Sequence, residues 1–231
     1  MKILNLIIYN ESVMYEQQMK EIITDYVQTF ENVQFFFICF REQTEDIMIE
    51  NHCMYIKGKE SFIPGILDKT IKAIEYCVKH MSFDYLIRSN ISTIINFSLL
   101  PELTCGYATC NKLVTSYDPI SGVYQPGIIF AQGTSIITSY HLSNYIIENK
   151  HKLDYTIIDD VSIALLLQHE ELHVVGQLFD INSYIAYISY NQQIGLDNSI
   201  NIPMTMGYRH KSFDRNNDVI TMKYIVSILK K

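Results

Sequence analysis

Phe83-Asp84-Tyr85-Leu86-Ile87-Arg88-Ser89-Asn90-Ile91-Ser92-Thr93 is an apolar run that stops abruptly in small polar residues. Short apolar runs of this kind suit strands buried on both faces, so a strand is expected over Phe83–Arg88. In a parallel sheet the carboxyl ends of the strands open onto a ligand crevice. Ser89, Asn90 and Ser92 fit such an edge, and they fit a helix cap equally well.

Upstream, Ile3–Tyr9 forms a continuous β-rich run and reads as a first buried strand. Ser12 is placed to cap a following helix, with Met14, Met19, Ile22, Ile23, Tyr26 and Phe30 at helical spacing. Val33–Phe40 predicts a second strand and Met48–Ile56 a third. Ile66–His80 predicts a helix with Ile66, Ile71, Ile74 and Cys77 or Val78 on one side. Strands alternating with helices imply an α/β fold with a parallel, Rossmann-like sheet.

Downstream, positions 100–132 hold Pro101, Gly106, Pro119, Gly122, Pro126 and Gly127, and a loop-rich stretch of this length usually shapes a site. Helices are expected over Ser139–Glu148 and Asp159–His169, and a strand over Val174–Tyr190. A polar segment, Tyr208–Asp218, then leads into a short terminal helix. Tyr107, Tyr117 and Tyr124 are candidates for stacking on a ring-shaped ligand or for core positions.

At 231 residues, with 48% apolar side chains, 17 Tyr and 11 Phe, the chain can bury a sizeable core. The formal charge of −7 excludes a broad phosphate-backbone surface, so no nucleic-acid partner is expected. Five cysteines without a CxxC pair suit free thiols in a reducing, cytoplasmic setting. Met1–Tyr9 is too short for a secretory leader. No run reaches the roughly 20 apolar residues of a membrane span.

Three further segments bear polar groups that suit chemistry. Phe130-Ala131-Gln132-Gly133-Thr134-Ser135 is built of small residues that permit close backbone approach to a ligand, or an ordinary turn. Asp159-Asp160-Val161 places two acids at a helix start, where they serve as a cap or as a rigidly held base. Tyr208-Arg209-His210-Lys211-Ser212-Phe213-Asp214-Arg215 concentrates cations in an acidic chain, forming either a diphosphate grip or a solvated loop.

In their order along the chain, the four segments resemble the β-1,3-galactosyltransferase and fringe-like glycosyltransferases. That group carries a strand leading to a DxD-type motif, a GxGYxxS segment, an EDV motif and a late histidine. The matches here are Asp84–Arg88 with Asn90-Ile91-Ser92, Gly133 through Ser139, Asp159-Asp160-Val161 and His210. The resemblance implies a GT-A type fold, a Rossmann-like mixed sheet flanked by helices, in a single domain over 1–231. Positions 1–98 would form the nucleotide-binding half and 99–231 the acceptor half.

It also implies an inverting hexosyltransferase. A sugar would move from a nucleotide-diphosphate donor, UDP-linked by expectation, to a saccharide hydroxyl. Asp160 would act as base with Asp159 beside it. Asn10, Lys69, Arg88, Asn90, Ser92, Gly133, Arg209, His210, Lys211 and Arg215 would line the donor site. Mn2+ or Mg2+ would normally bridge the diphosphate, with His210 as a candidate ligand. Asn90 and Ser92 replace the acids of the motif, and neutral oxygens are poorer ligands for a hard cation. Weak or absent metal is therefore expected.

Two other classes stay open. The missing acids also suit a non-catalytic module that binds a nucleotide-sugar or a glycan. His169-Glu170-Glu171-Leu172-His173 spells HExxH, which on a helix would bind zinc in a metalloprotease. Against that, Phe179 stands where a third histidine belongs, and no glutamate follows Glu171.

Overall fold

The computed structural model describes residues 1–110, 114–117, 124–181 and 204–230, with the backbone alone at 114–117 and 124–128. It opens with strand β1 (Ile3–Ile8), helix α1 (Met14–Val27) and strand β2 (Val33–Arg41). Strands β3 (Ile47–Glu50) and β4 (Cys53–Lys57), helix α2 (Gly65–His80) and strands β5 (Tyr85–Asn90) and β6 (Thr93–Ile95) follow. Then come β7 (Tyr107–Thr109), β8 (Val114–Tyr117), β9 (Tyr124–Phe130), β10 (Ile136–Ser139), α3 (Tyr140–Glu148) and α4 (Asp159–Leu166). The described chain closes with β11 (Leu172–Val174), β12 (Leu178–Asp180), β13 (Gly207–Arg209) and α5 (Arg215–Leu229).

Eight strands form one mixed sheet in the order β11-β7-β10-β5-β1-β2-β4-β3. Its centre is parallel, with β1 flanked by β2 and β5 and with β4 beyond β2. Strand β10 runs antiparallel to β5 and to β7, which makes the sheet mixed. A small second sheet has the order β12-β13-β6, and β8 pairs with β9 in a ribbon.

Side chains alternate across a strand, and here both faces are covered. Ile3, Ile7, Phe35, Phe37 and Cys39 pack with α1 and with Val219, Met222 and Ile225 of α5. Leu4, Leu6, Phe36, Ile38 and Phe40 pack instead with Ala73, Ile74 and Cys77 of α2. This double covering is why the strands read as unbroken apolar runs. Asn5, a buried polar residue of β1, accepts a 3.1 Å hydrogen bond from Ser89 Oγ on the neighbouring strand.

Several local expectations are corrected. Ser12 does not cap α1: the capping position is Val13, with no side-chain bond. Asn10 Oδ1 instead accepts from both the Ser12 amide (3.1 Å) and hydroxyl (2.7 Å), a local Asx turn that captures the serine. Met14 faces solvent at 74% exposure.

Met48–Ile56 is not one strand but the β3–β4 hairpin, because Asn51 (φ 47°) and His52 (φ 60°) both take the left-handed region that a two-residue turn needs. Over Val174–Tyr190 two short strands, β11 and β12, replace the single one expected, and 182–190 lie outside the described residues. The terminal helix is long rather than short, with Asp214 as its cap accepting from the Asn216 amide at 3.0 Å. All five cysteines are free. No helix of the described residues is long and apolar enough to cross a membrane.

A candidate donor groove at the carboxyl ends of the strands

Strands β1 and β5 point their carboxyl ends the same way, and α2 starts beside them. Two concavities meet there. One, of about 310 Å³, is lined by Tyr9, Asn10, Glu16, Glu60 and Lys69. The other, of about 540 Å³, is lined by Arg88, Asn90, Gly133, Asp159, Asp160 and Arg209. Phe62 and Ile66 line both, so the two adjoin and are taken together as one groove. A further concavity of about 490 Å³ lies between the β3–β4 hairpin and α2 and takes no residue from β1 or β5.

In the smaller chamber Lys69 is buried, its ammonium donating to the Tyr9 carbonyl (2.9 Å) and to both carboxylate oxygens of Glu60 (3.0 and 2.9 Å). Glu60 also receives the Phe40 amide at 2.8 Å. Lys69 therefore ties the end of β1 to the end of β2 and the loop before α2. Removing a buried partner strands the other, so Lys69→Met is expected to cost about 2–3 kcal/mol of stability, read by urea unfolding.

Glu16 accepts from the Asn10 amide at 2.7 Å, and burial raises its carboxyl above the usual range. Neither Glu60 nor Glu16 stood out in the sequence. Glu60 lies in a Lys-Gly-Lys-Glu loop without periodicity, and Glu16 looks like any polar residue in a first helical turn.

The larger chamber is organised around Arg88, which is 2% exposed. Its guanidinium donates to the Gly133 carbonyl and to Asn90 Oδ1 (3.1 Å), and it pairs with Asp159 at 2.5 Å. A Cβ at Gly133 would sit 3.1 Å from Arg88 Cζ and closer still to Nη1, so glycine leaves room for the guanidinium in this position. The close approach that the small residues permit is thus to an arginine of the protein itself.

The Gly133 amide in turn donates to Asp160 Oδ2 at 3.1 Å, and the Val161 amide to Oδ1 at 3.0 Å. Burial, then the adjacent Asp159, pushes the Asp160 carboxyl up from 3.8 to about 6, while Arg88 and the two amides pull it down. A carboxylate fixed by two N–H groups and raised towards neutrality, on the wall of a groove, can accept a proton from a bound hydroxyl.

The late segment enters by backbone pairing. Strand β13 runs antiparallel to β6, with Arg209 opposite Thr93, and the His210 amide donates to the Ser92 carbonyl at 3.2 Å. Arg209 thereby reaches the groove wall. The other cations do not line it. His210 is 3% exposed, its ring 3.3 Å from the fully buried Asp218, and burial lowers its basicity. Arg215 pairs with the same Asp218 and covers the Tyr15 ring at 4.9 Å. Lys211 is exposed, and Ser92 is buried behind the groove.

The donor set does not fit a divalent cation. Asn90 Oδ1 is engaged by Arg88, Asp159 is paired with Arg88, and Asp160 already accepts two N–H bonds. Among the described residues no three His, Cys, Asp or Glu side chains gather at one point.

The HExxH pair also fails as a zinc helix. Helix α4 ends at Leu166, so His169 falls in a turn and His173 on strand β11. The shared helical face that the spacing demands does not exist, and the metalloprotease alternative loses its geometry. Tyr107 is core, 2% exposed, its hydroxyl receiving the Ala131 amide at 3.4 Å. The side chains of Tyr117 and Tyr124 lie outside the described residues.

The chain superposes on a glycosyltransferase involved in the glycosylation of the major capsid of PBCV-1, over 97% of this chain and 100% of that one (TM-score 0.54, 9% identity). It superposes likewise on an active-site mutant of LgtC, over 96% and 95% (TM-score 0.50, 10% identity). The fold is GT-A. At these identities the likeness is one of architecture: an eight-stranded mixed sheet flanked by helices, as the resemblance implied, whereas the alternation of elements implied only its parallel centre. No family model and no curated protein matches the sequence. The groove lies at the carboxyl ends of β1 and β5, the position at which open α/β sheets hold their ligands.

Proposed function

We propose that the protein transfers a glycosyl group, of hexosyl type, from a nucleotide-diphosphate donor to a saccharide hydroxyl, with Asp160 as general base. The observation that carries this is the placement of Asp160: a half-buried carboxylate in the groove, held by the Gly133 and Val161 amides and made more basic by burial. The nucleoside would occupy the smaller chamber beside Asn10 and Lys69, and the sugar and diphosphate the larger one.

The step is a single inverting displacement. An acceptor hydroxyl gives its proton to Asp160 and its oxygen bonds to the anomeric carbon. The carbon–oxygen bond to the diphosphate breaks, and its electron pair leaves with the phosphate. Asp159 is neutralised by Arg88 and serves to position rather than to attack. The ordered motif match to the fringe-like group supports this reading, and UDP is the donor it favours. The five free thiols suit a reducing, cytoplasmic setting.

A donor screen tests it. Purified protein is offered sugar nucleotides with a panel of saccharides, and glycosylated product is read by mass spectrometry. Donor binding without product or hydrolysis on any acceptor would instead favour a binding module.

The pH profile gives a second check. A base works unprotonated, so kcat/KM is expected to rise with pH and to be half-maximal near about 6, the value to which Asp160 is raised. A flat profile through that region would remove Asp160 from the role.

A further inference from the structure

A diphosphate leaving group carries concentrated negative charge that the site must offset, by a cation or by fixed donors. The ligand chemistry in the groove gives a divalent cation little to hold, because Asn90, Asp159 and Asp160 are all engaged by protein donors. Two arginines line the larger chamber. Arg88 is neutralised by Asp159.

Arg209 is different. Its side chain makes no hydrogen bond or ion pair with any described residue, although it lines the groove and is only half exposed to water. Desolvation lowers its basicity, opposed by the fields of Asp180 and Asp160, yet a guanidinium stays charged in a protein. A partly dry cation with no carboxylate at contact distance gains by taking up an anion. Its planar fork matches two phosphate oxygens. The residue is also rigidly carried, since β13 is held between β12 and β6 and by the His210–Ser92 backbone bond.

We propose that Arg209 receives the donor's diphosphate directly and takes the place of a bridging metal ion, an inference that rests on the nucleotide-donor reading above. Of the four late basic residues, it alone lines the groove. Arg215 and His210 are committed to Asp218, and Lys211 lies outside the chamber.

The test is calorimetric titration of the full chain with UDP, GDP, CDP, ADP and the matching nucleosides, in EDTA and then in MnCl2. At least one nucleoside diphosphate is expected to bind in EDTA with a Kd within about threefold of that in manganese. Arg209→Met is expected to weaken that diphosphate by about 30-fold and Arg209→Lys by about fivefold, with nucleoside affinity unchanged. An unaltered thermal midpoint shows that the variants are folded.

A gain of more than about tenfold on adding manganese, or an Arg209→Met that binds the diphosphate as wild type does, overturns this proposal and leaves the donor reading standing. Failure of every nucleotide to bind in either buffer overturns both.

Discussion

Asp160→Asn is expected to lower glycosyl transfer by about 10³-fold while leaving donor binding nearly unchanged, because a positioned general base typically contributes 10²–10⁴ and the amide keeps the shape of the carboxylate. The loss should fall in kcat rather than in KM, since a general base at Asp160 would meet the acceptor proton only as the bond forms. Initial rates with saturating donor and varied acceptor measure it. Transfer at the wild-type rate would show that the base lies elsewhere.

Stability distinguishes this outcome from misfolding. The Asp160 carboxyl is raised from 3.8 to about 6 in the folded protein. The folded state therefore holds that proton more tightly than the unfolded one does. The stability this confers is fully present below about 3.8 and is lost as pH climbs through about 6. The asparagine variant has nothing to titrate, so its stability relative to wild type should improve between those limits. Denaturant unfolding at both ends of the window reads the difference. A functional group held at a cost to folding is a frequent trade-off in enzymes.

Arg88→Met is expected to be the most destabilising single change in the groove, at about 3–5 kcal/mol, because it leaves the buried Asp159 charge without its partner. For a chain of this size that corresponds to a fall in Tm of about 10 °C. The Gly133 carbonyl and Asn90 also lose their donor, so the turn that holds Asp160 should loosen.

The double variant Arg88→Met/Asp159→Leu should recover much of the loss, since replacing a whole buried pair by apolar groups is often near neutral. Calorimetric melting of the two single variants and the double closes the cycle. A double variant no more stable than Arg88→Met would mean that the damage lies in the turn rather than in the unpaired acid.

The sequence makes the central sheet legible because β1, β2 and β5 bury both faces and so appear as unbroken apolar runs. The acids at the start of α4 were equally visible, since Asp159 and Asp160 stand before an apolar helix. Less visible was what the neighbouring polar residues do. Arg88 looked like a ligand residue, yet its charge is spent on Asp159 and its donors on Gly133 and Asn90.

The Tyr208–Arg215 cluster read as one cationic grip, but a strand separates its side chains. Arg209 faces the groove while His210, the next residue, points into the core against Asp218. That two-way split follows from the alternation of a strand, and no run of residues in a polar segment announced a strand there. Likewise the HExxH spelling carried no information about where its helix would stop.

The packing of α5 has a consequence for how the molecule is assembled. One face of the earliest strands is finished only when Val219, Met222 and Ile225 arrive from residues 215–229, and Lys230 then reaches back to Asp25 at 2.5 Å. During synthesis, β1 and β2 must wait, half covered, while almost two hundred residues emerge. Closure between such distant parts is entropically slow, so this seam should be the last to form and the first through which the protein opens.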